Sequence, residues 1–175
     1  EDHMATYGGD FSRLLDAYGR FLHRLPFYGV ACICADDERA MSLIPDIRSR
    51  VVTYGFSEKA DVCAYAVRQI SGREHFKIKG IYGEFKDDFE LNLPGYHNVQ
   101  NAIGAITVAL ELGLDVQSIN AALSNFEGID RRCQIYEKIR LNGREITVVD
   151  DYGHHPRELQ EVFETIRRCY PNKRL

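Results

Sequence analysis

Two aspartates, a tyrosine, a glycine and two histidines stand together in Asp150-Asp151-Tyr152-Gly153-His154-His155, and Pro156 follows. The run lies where a β-like stretch ends and a helical pattern begins. In open α/β sheets that edge is where ligands sit. These side chains suit a sugar hydroxyl, a metal or a phosphate. A plainer alternative stands beside that one: Asp-Tyr-Gly makes a turn and His155-Pro156 enters a helix. On residue types alone the two weigh evenly. Adjacent histidines point in different directions, so the pair by itself is poor evidence for a metal.

Three further segments carry chemistry only in combination. In Pro94-Gly95-Tyr96-His97-Asn98-Val99-Gln100-Asn101, Asn98 and Asn101 are three apart and share a helix face. An amide offers both a donor and an acceptor, which suits the edge of adenine; the alternative is that Asn98 merely caps a helix. Arg131-Arg132 follows Gly128-Ile129-Asp130, and guanidinium forks match phosphate oxygens. Exposed arginines are common, so this pair too reads as ordinary surface when taken alone. The same holds for His3, a single histidine between Asp2 and Met4.

The elements that must position these residues can be read from periodicity. Phe11, Leu14, Leu15, Tyr18, Phe21, Leu22 and Leu25 have helical spacing over Asp10 to Leu25, and Pro26 stops the run. The apolar run 28–35 is a buried strand, Asp36-Asp37 caps a short helix over Glu38 to Ile44, and 51–55 is a second strand. Strand, helix, strand over so few residues predicts a βαβ unit with parallel strands. From Ala60 to Leu93, three β-like stretches parted by Gly-containing turns predict a small antiparallel meander. Asn98 to Leu112, rich in alanine, predicts a helix packed close on a sheet, ended by Gly113. Asp115 to Phe126 is a further helix. Two β-like runs flank Asn142-Gly143, a strong hairpin signal, and a helix over Pro156 to Tyr170 completes a new strand–helix unit. The fold class is therefore α/β, with a first domain over residues 1–129 and the start of a second over 130–175.

Bulk properties set limits. The 175 residues carry a formal net charge of −4 with 45% hydrophobic and 27% charged residues, a globular balance. An acidic chain argues against nucleic acid or an anionic membrane as partner, and no apolar run approaches the ~18–20 residues that cross a bilayer. Cys32, Cys34, Cys63, Cys133 and Cys169 are odd in number and read as reduced packing thiols of a cytoplasmic protein. Cys32 and Cys34 alternate onto one side of a strand and do not have metal-pair spacing. The chain opens on Glu1-Asp2-His3-Met4 and closes as a strand begins after Pro171, so both ends read as cuts within a longer protein.

Taken in order, these segments resemble the Mur ligase family: His3 to Phe11, Leu25 to Gly29, Thr53 to Ser57, Pro94 to Ala102, Phe126 to Arg132 and Asp150 to Pro156. The likeness spans essentially the whole chain, and the combination is specific although each motif singly is not. It implies the later part of a central ATP-binding domain, with parallel strands, helices and a small antiparallel β subdomain, followed by the start of a Rossmann-like C-terminal domain. Asp-Asp-Tyr-Gly-His-His-Pro looks like the alanine-adding branch.

The resemblance implies ATP-dependent ligation of L-alanine to the carboxylate of UDP-N-acetylmuramate through an acyl phosphate, with ATP and Mg2+ required. His3 resembles a magnesium ligand. Asn98 and Asn101, with His97 beside them, resemble the adenine contacts. Arg132, supported by Arg131, resembles the arginine that reaches the ATP phosphates. Asp151 resembles the acid that binds the ribose or orients that region, and Tyr152 and His154 border the amino-acid pocket. Cys133 departs from the pattern, where an aromatic residue is usual; altered packing is expected there. A glycine-rich loop ending Gly-Lys-Thr does not occur in the sequence, so the resemblance implies that the chain alone is inactive. The rival readings are a muropeptide-recycling ligase, a folylpolyglutamate synthetase, which matches the His-His-Pro segment less well, and a non-catalytic nucleotide-binding fragment.

Overall fold

The computed structural model describes residues 4–175. His3, expected as a metal ligand, lies outside the described residues. A 3-10 turn over Met4–Tyr7 leads into helix α1 (Phe11–Leu22). The Asp10 carboxylate caps this helix by accepting the Ser12 amide at 2.9 Å. The apolar spacing continues to Leu25, but the helix stops at Leu22 and the chain turns ahead of Pro26. The apolar face of α1 (Phe11, Leu14, Leu15, Tyr18, Phe21, Leu22) borders a large cleft, and none of its residues is buried.

Strand β1 (Val30–Cys34), the single-turn helix α2 (Glu38–Met41) and strand β2 (Arg50–Gly55) form the expected unit, with β1 and β2 parallel from Val30↔Arg50 to Cys34↔Tyr54. Ala31 and Ile33 face inward while Cys32 and Cys34 share the other face. Strands β3 (Val62–Ile70), β4 (Arg73–Gly80), β5 (Gly83–Glu84) and β6 (Phe89–Leu91) form the meander; β4 pairs antiparallel with the other three. The meander does not stand apart. β3 pairs parallel with β2 at Tyr54↔Val62 and Gly55↔Cys63, so one six-stranded sheet runs through both regions. Parallel neighbours usually need a crossover of a dozen or more residues. Here a short loop suffices because the strands overlap only at that corner. The loop is fastened by the Asp61 carboxylate, which accepts the Thr53 amide and hydroxyl, each at 2.8 Å.

Helix α3 (Tyr96–Glu111) lies across β1, β2 and β3, and α4 (Val116–Ser124, capped by Asp115) packs on β6. Phe76, Ile78, Phe89, Val99, Ile103 and Ile106 form the centre of the core between sheet and helices, each at most 1% exposed. Burial of an isoleucine of this kind contributes about 1.5–3 kcal/mol. Small residues bring α3 close: a Cβ added at Gly104 would lie 3.0 Å from the Tyr54 ring. The expected start of α3 at Asn98 is two residues late. Gly95 is the N-cap, and its carbonyl accepts from the amides of Asn98 (3.0 Å) and Val99 (3.1 Å).

Strands β7 (Gln134–Leu141) and β8 (Arg144–Asp150) form a separate antiparallel hairpin. Asn142 (φ 50°) and Gly143 (φ 74°) both take the left-handed conformation that a two-residue type I′ turn requires. Helix α5 (Pro156–Cys169) follows, capped by His155 and Glu158 in reciprocal bonds. Its inward residues are Val162 and Thr165. All five cysteines are free thiols. No helix among the described residues is long and apolar enough to cross a membrane.

Candidate functional site

A cleft of about 1960 Å³ opens between the first turns of α3 and the segment that carries β8 into α5. His97, Asn98 and Asn101 line it from α3, and Arg132, Asp151, Gly153, His155, Glu158 and Glu161 line it from the other side. The structure thus gathers five expected residues, His97, Asn98, Asn101, Arg132 and Asp151, from segments far apart in sequence.

Each is held by identifiable bonds. The Asn98 side-chain amide donates to the Pro94 carbonyl at 2.7 Å, which fixes the side chain one turn from Asn101. Gly95 (φ 112°) could not be another residue without movement: a Cβ there would lie 2.7 Å from Thr165 Oγ1 and 2.8 Å from His97 Cε1. The Asp151 carboxylate accepts two backbone amides, Cys133 at 2.8 Å and Gly153 at 2.6 Å, and so ties the residue after Arg132 to the strand end. Arg132 itself is exposed in the cleft. His97 is half-buried, and its Nδ1 is buried without a hydrogen-bond partner. Burial pushes its imidazole below the ordinary value of 6.5; Glu161, Asp151 and Glu74 oppose the shift and Arg132 assists it.

The remaining expected residues form a stack outside that lining. The Arg131 guanidinium lies 4.8 Å from the centre of the Tyr152 ring, and Tyr152 meets His154 edge-on at 5.2 Å. The Tyr152 amide donates to the Arg131 carbonyl at 2.7 Å, and His154 Nδ1 lies 3.1 Å from the Tyr152 carbonyl. The adjacent histidines do diverge: His155 turns to the cleft while His154 stacks on Tyr152. Two backbone amides, those of His154 and His155, hold the Glu158 carboxyl below the usual range. Cys133, where an aromatic residue was expected, is buried, and burial pushes its thiol up to about 11.

Two residues at the site escaped the sequence reading. Asp36, at the end of β1, accepts the amides of Phe56 (2.8 Å) and Ser57 (3.0 Å) and the Gln100 side chain (3.0 Å). It explains Gly55, where an added Cβ would lie 2.4 Å from the Asp36 carboxylate. Of the Asp36-Asp37 pair only Asp37 caps α2. Glu74, fully buried in β4, belongs to none of the motifs; its position two residues before Phe76 and four before Ile78 is the signal that it faces inward. Among the described residues no group of three His, Cys, Asp or Glu side chains gathers as a metal site.

Comparisons with known proteins bear on the same segments. The family described as the Mur ligase middle domain matches residues 1–109. A UDP-N-acetylmuramate–L-alanine ligase of Hydrogenovibrio crunogenus is 46% identical over 176 residues, covering 100% of this chain and 38% of its own length. The ligase of the same name from Vesicomyosocius okutanii is 42% identical, covering 99% of this chain and 37% of its own. The crystal structure of a UDP-N-acetylmuramate-alanine ligase of Thermotoga maritima superposes with a TM-score of 0.78 at 25% identity, over 98% of this chain and 37% of that one. The chain therefore spans little more than a third of the length of these relatives.

Proposed function

The chain belongs to the Mur ligase family, and from that premise we propose that it forms part of the adenine-nucleotide site of an enzyme that joins L-alanine to UDP-N-acetylmuramate in peptidoglycan-precursor synthesis. The observation that carries this reading is the cleft. It is lined by amides and an imidazole from the matched middle domain and by an arginine and a carboxylate from the segment beyond it. Relatives at 46% and 42% identity bear the name of that ligase, which supports the choice of substrate.

In this reading residues 130–175 open a second domain, and the nucleotide binds at the junction. Asn98 and Asn101 face the adenine edge, His97 supports them, and Asp151 orients the loop near the ribose. Arg132, with Arg131 behind it, meets the phosphates. A carboxylate is a poor acyl donor because its leaving group would be an oxide. Transfer of the γ-phosphoryl group of ATP to the muramate carboxylate releases ADP and supplies phosphate as leaving group. The alanine amine then attacks the acyl carbon, the C–O bond to phosphate breaks, and the amine loses a proton as the amide forms. A guanidinium aimed at the phosphates favours the charge that develops on the phosphoryl oxygens. Magnesium, when bound, would neutralise phosphate charge; its proposed ligand in this chain is His3. Tyr152 and His154 are assigned to the border of the amino-acid pocket. A cytoplasmic location, where ATP and nucleotide sugars are made, goes with the same reading.

The test is ADP release by the full-length protein with UDP-N-acetylmuramate and ATP–magnesium, with L-alanine supplied or withheld. Alanine-dependent turnover that falls in Arg132→Ala supports the proposal. Turnover with a muropeptide but not with alanine moves the protein to the recycling branch. The 175-residue chain on its own is expected to be inactive.

A further inference from the structure

Glu74 is the one carboxylate among the described residues that is fully buried, at 0% exposure. It sits in β4 between Gln69 of β3 and Leu91 of β6. Its Oε1 accepts from three directions: the Gly95 amide at the start of α3 (2.9 Å), the Gln69 side chain (3.3 Å) and the Arg168 guanidinium of α5 (3.4 Å). Its Oε2 is buried and has no hydrogen-bond partner. A buried ion pair is weak evidence for stability, because desolvation offsets the attraction; fixing one arrangement of parts is its better-attested use.

The parts joined here are the two walls of the cleft. Gly95 caps the helix that carries His97, Asn98 and Asn101. Arg168 lies near the end of the helix whose beginning lines the opposite wall. Arg168 also stands 5.0 Å from the centre of the Tyr96 ring, Cys169 Sγ accepts from Gln69 at 3.4 Å, and Thr165 fills the space that only glycine leaves at position 95. Thus α5 is fastened at its C-terminal half and faces the cleft at its N-terminal half. From Thr165 to Pro156 the helix is about 14 Å long. A tilt of about 10° at the fastened end would therefore move the cleft-lining end by more than 2 Å, and displacements of about 1 Å already weaken positioning.

We propose that Glu74 is a positioning residue that couples adenine-nucleotide affinity to the docking of α5, by holding Gly95 of one cleft wall and Arg168 of the other on a single carboxylate. The proposal rests on the nucleotide-site reading above and extends it to a residue that touches no ligand. Removal of either partner releases the same constraint, so the losses do not add.

The test uses the full-length protein and a non-hydrolysable ATP analogue, AMP-PNP, with affinity measured by titration calorimetry at a temperature where circular dichroism shows each variant folded. Arg168→Gln and Glu74→Gln are each expected to raise Kd about tenfold, within the range usual for coupled sites. The double variant should be no weaker than the weaker single one, Arg168→Lys should recover most of the affinity, and Arg144→Gln on the hairpin should leave Kd within about twofold of the parent. If Glu74→Gln does not fold, Arg168→Gln with its lysine rescue decides alone. Folded variants with unchanged Kd, or losses that multiply in the double variant, overturn the coupling and leave the nucleotide site standing. Wild-type protein that binds no AMP-PNP overturns the site and the coupling with it.

Discussion

Replacing Gly95 by alanine tests how the two walls of the cleft meet. Gly95 has φ 112° and ψ 137°, a conformation that L side chains rarely adopt. Holding another residue in such a sparsely populated region costs about 1–3 kcal/mol. The added methyl would stand 2.7 Å from Thr165 Oγ1 and 2.8 Å from His97 Cε1. Both neighbours are short of room: Thr165 is 3% exposed, and His97 Nδ1 is buried. Overpacking of this kind costs a further ~1–3 kcal/mol. Together the terms come to about 2–6 kcal/mol, enough to lower the melting transition of this region by at least about 4 °C. The assay is thermal unfolding of the full-length protein, with Gly95→Ala compared in two backgrounds. Thr165→Ala removes the hydroxyl that the methyl would strike, and Thr165→Val keeps the volume. Part of the loss should return with alanine at 165 and none with valine. A Gly95→Ala protein that melts within about 1 °C of the parent, or equal melting in the two double variants, refutes the reasoning.

Two further outcomes follow from the same region. Because burial holds the His97 imidazole below 6.5, its contribution to stability is present above 6.5 and is lost as pH falls through the folded-state value. Melting temperatures taken between pH 7.5 and 5.5 should therefore fall more steeply in the parent than in His97→Gln, and parallel curves would exclude the effect. Cys133, buried with its thiol pushed up to about 11, should hold roughly a hundredfold less thiolate at pH 8 than an ordinary cysteine at 9.0. Mass spectrometry after iodoacetamide treatment should find Cys133 still unlabelled when cysteines of the urea-unfolded protein are fully labelled. Labelling at the unfolded rate would count against a buried thiol there.

Most of the architecture was legible because it rests on local rules. The 3.6-residue spacing marked α1, α3, α4 and α5, and Asn142-Gly143 marked the β7–β8 turn. The Asp150 to Pro156 junction was visible because strand end, capping histidine and helix-starting proline stand in order. Long-range partnerships were not legible. Asp36 looked like half of a capping pair, yet its oxygens fasten backbone twenty residues away. Glu74 was not legible because a carboxylate in a strand usually faces solvent; only its alternation with Phe76 and Ile78 along β4 turns it inward. The joining of the meander to the parallel strands was hidden for a similar reason: only two residue pairs make the connection. The site residues divided in the same way. Their chemical types were evident from the motifs, but nothing local distinguished Arg132, in the cleft, from Arg131, stacked on Tyr152.

That difference between adjacent arginines has a backbone cause. Arg131 (φ 62°) and Cys133 (φ 49°) both lie in the left-handed region, with Arg132 between them. Neither is a glycine, and each such residue costs on the order of 1–2 kcal/mol relative to the right-handed form. The conformation persists because bonds on both sides hold it. The Arg131 amide donates to Gln134 Oε1 at 3.1 Å, and its carbonyl accepts the Tyr152 amide at 2.7 Å. The Cys133 amide donates to Asp151 at 2.8 Å, and its side chain is buried. Reversing the chain at both flanking residues sends Arg131 outward over Tyr152 and leaves Arg132 lining the same cleft as the asparagines of α3. Strain maintained by surrounding bonds is characteristic of functional sites. Here it falls on the two neighbours of the residue assigned to phosphate, and the carboxylate that fastens it is Asp151. On the nucleotide-site reading, Asp151 serves chiefly to hold the backbone beside Arg132, since each of its oxygens accepts a backbone amide.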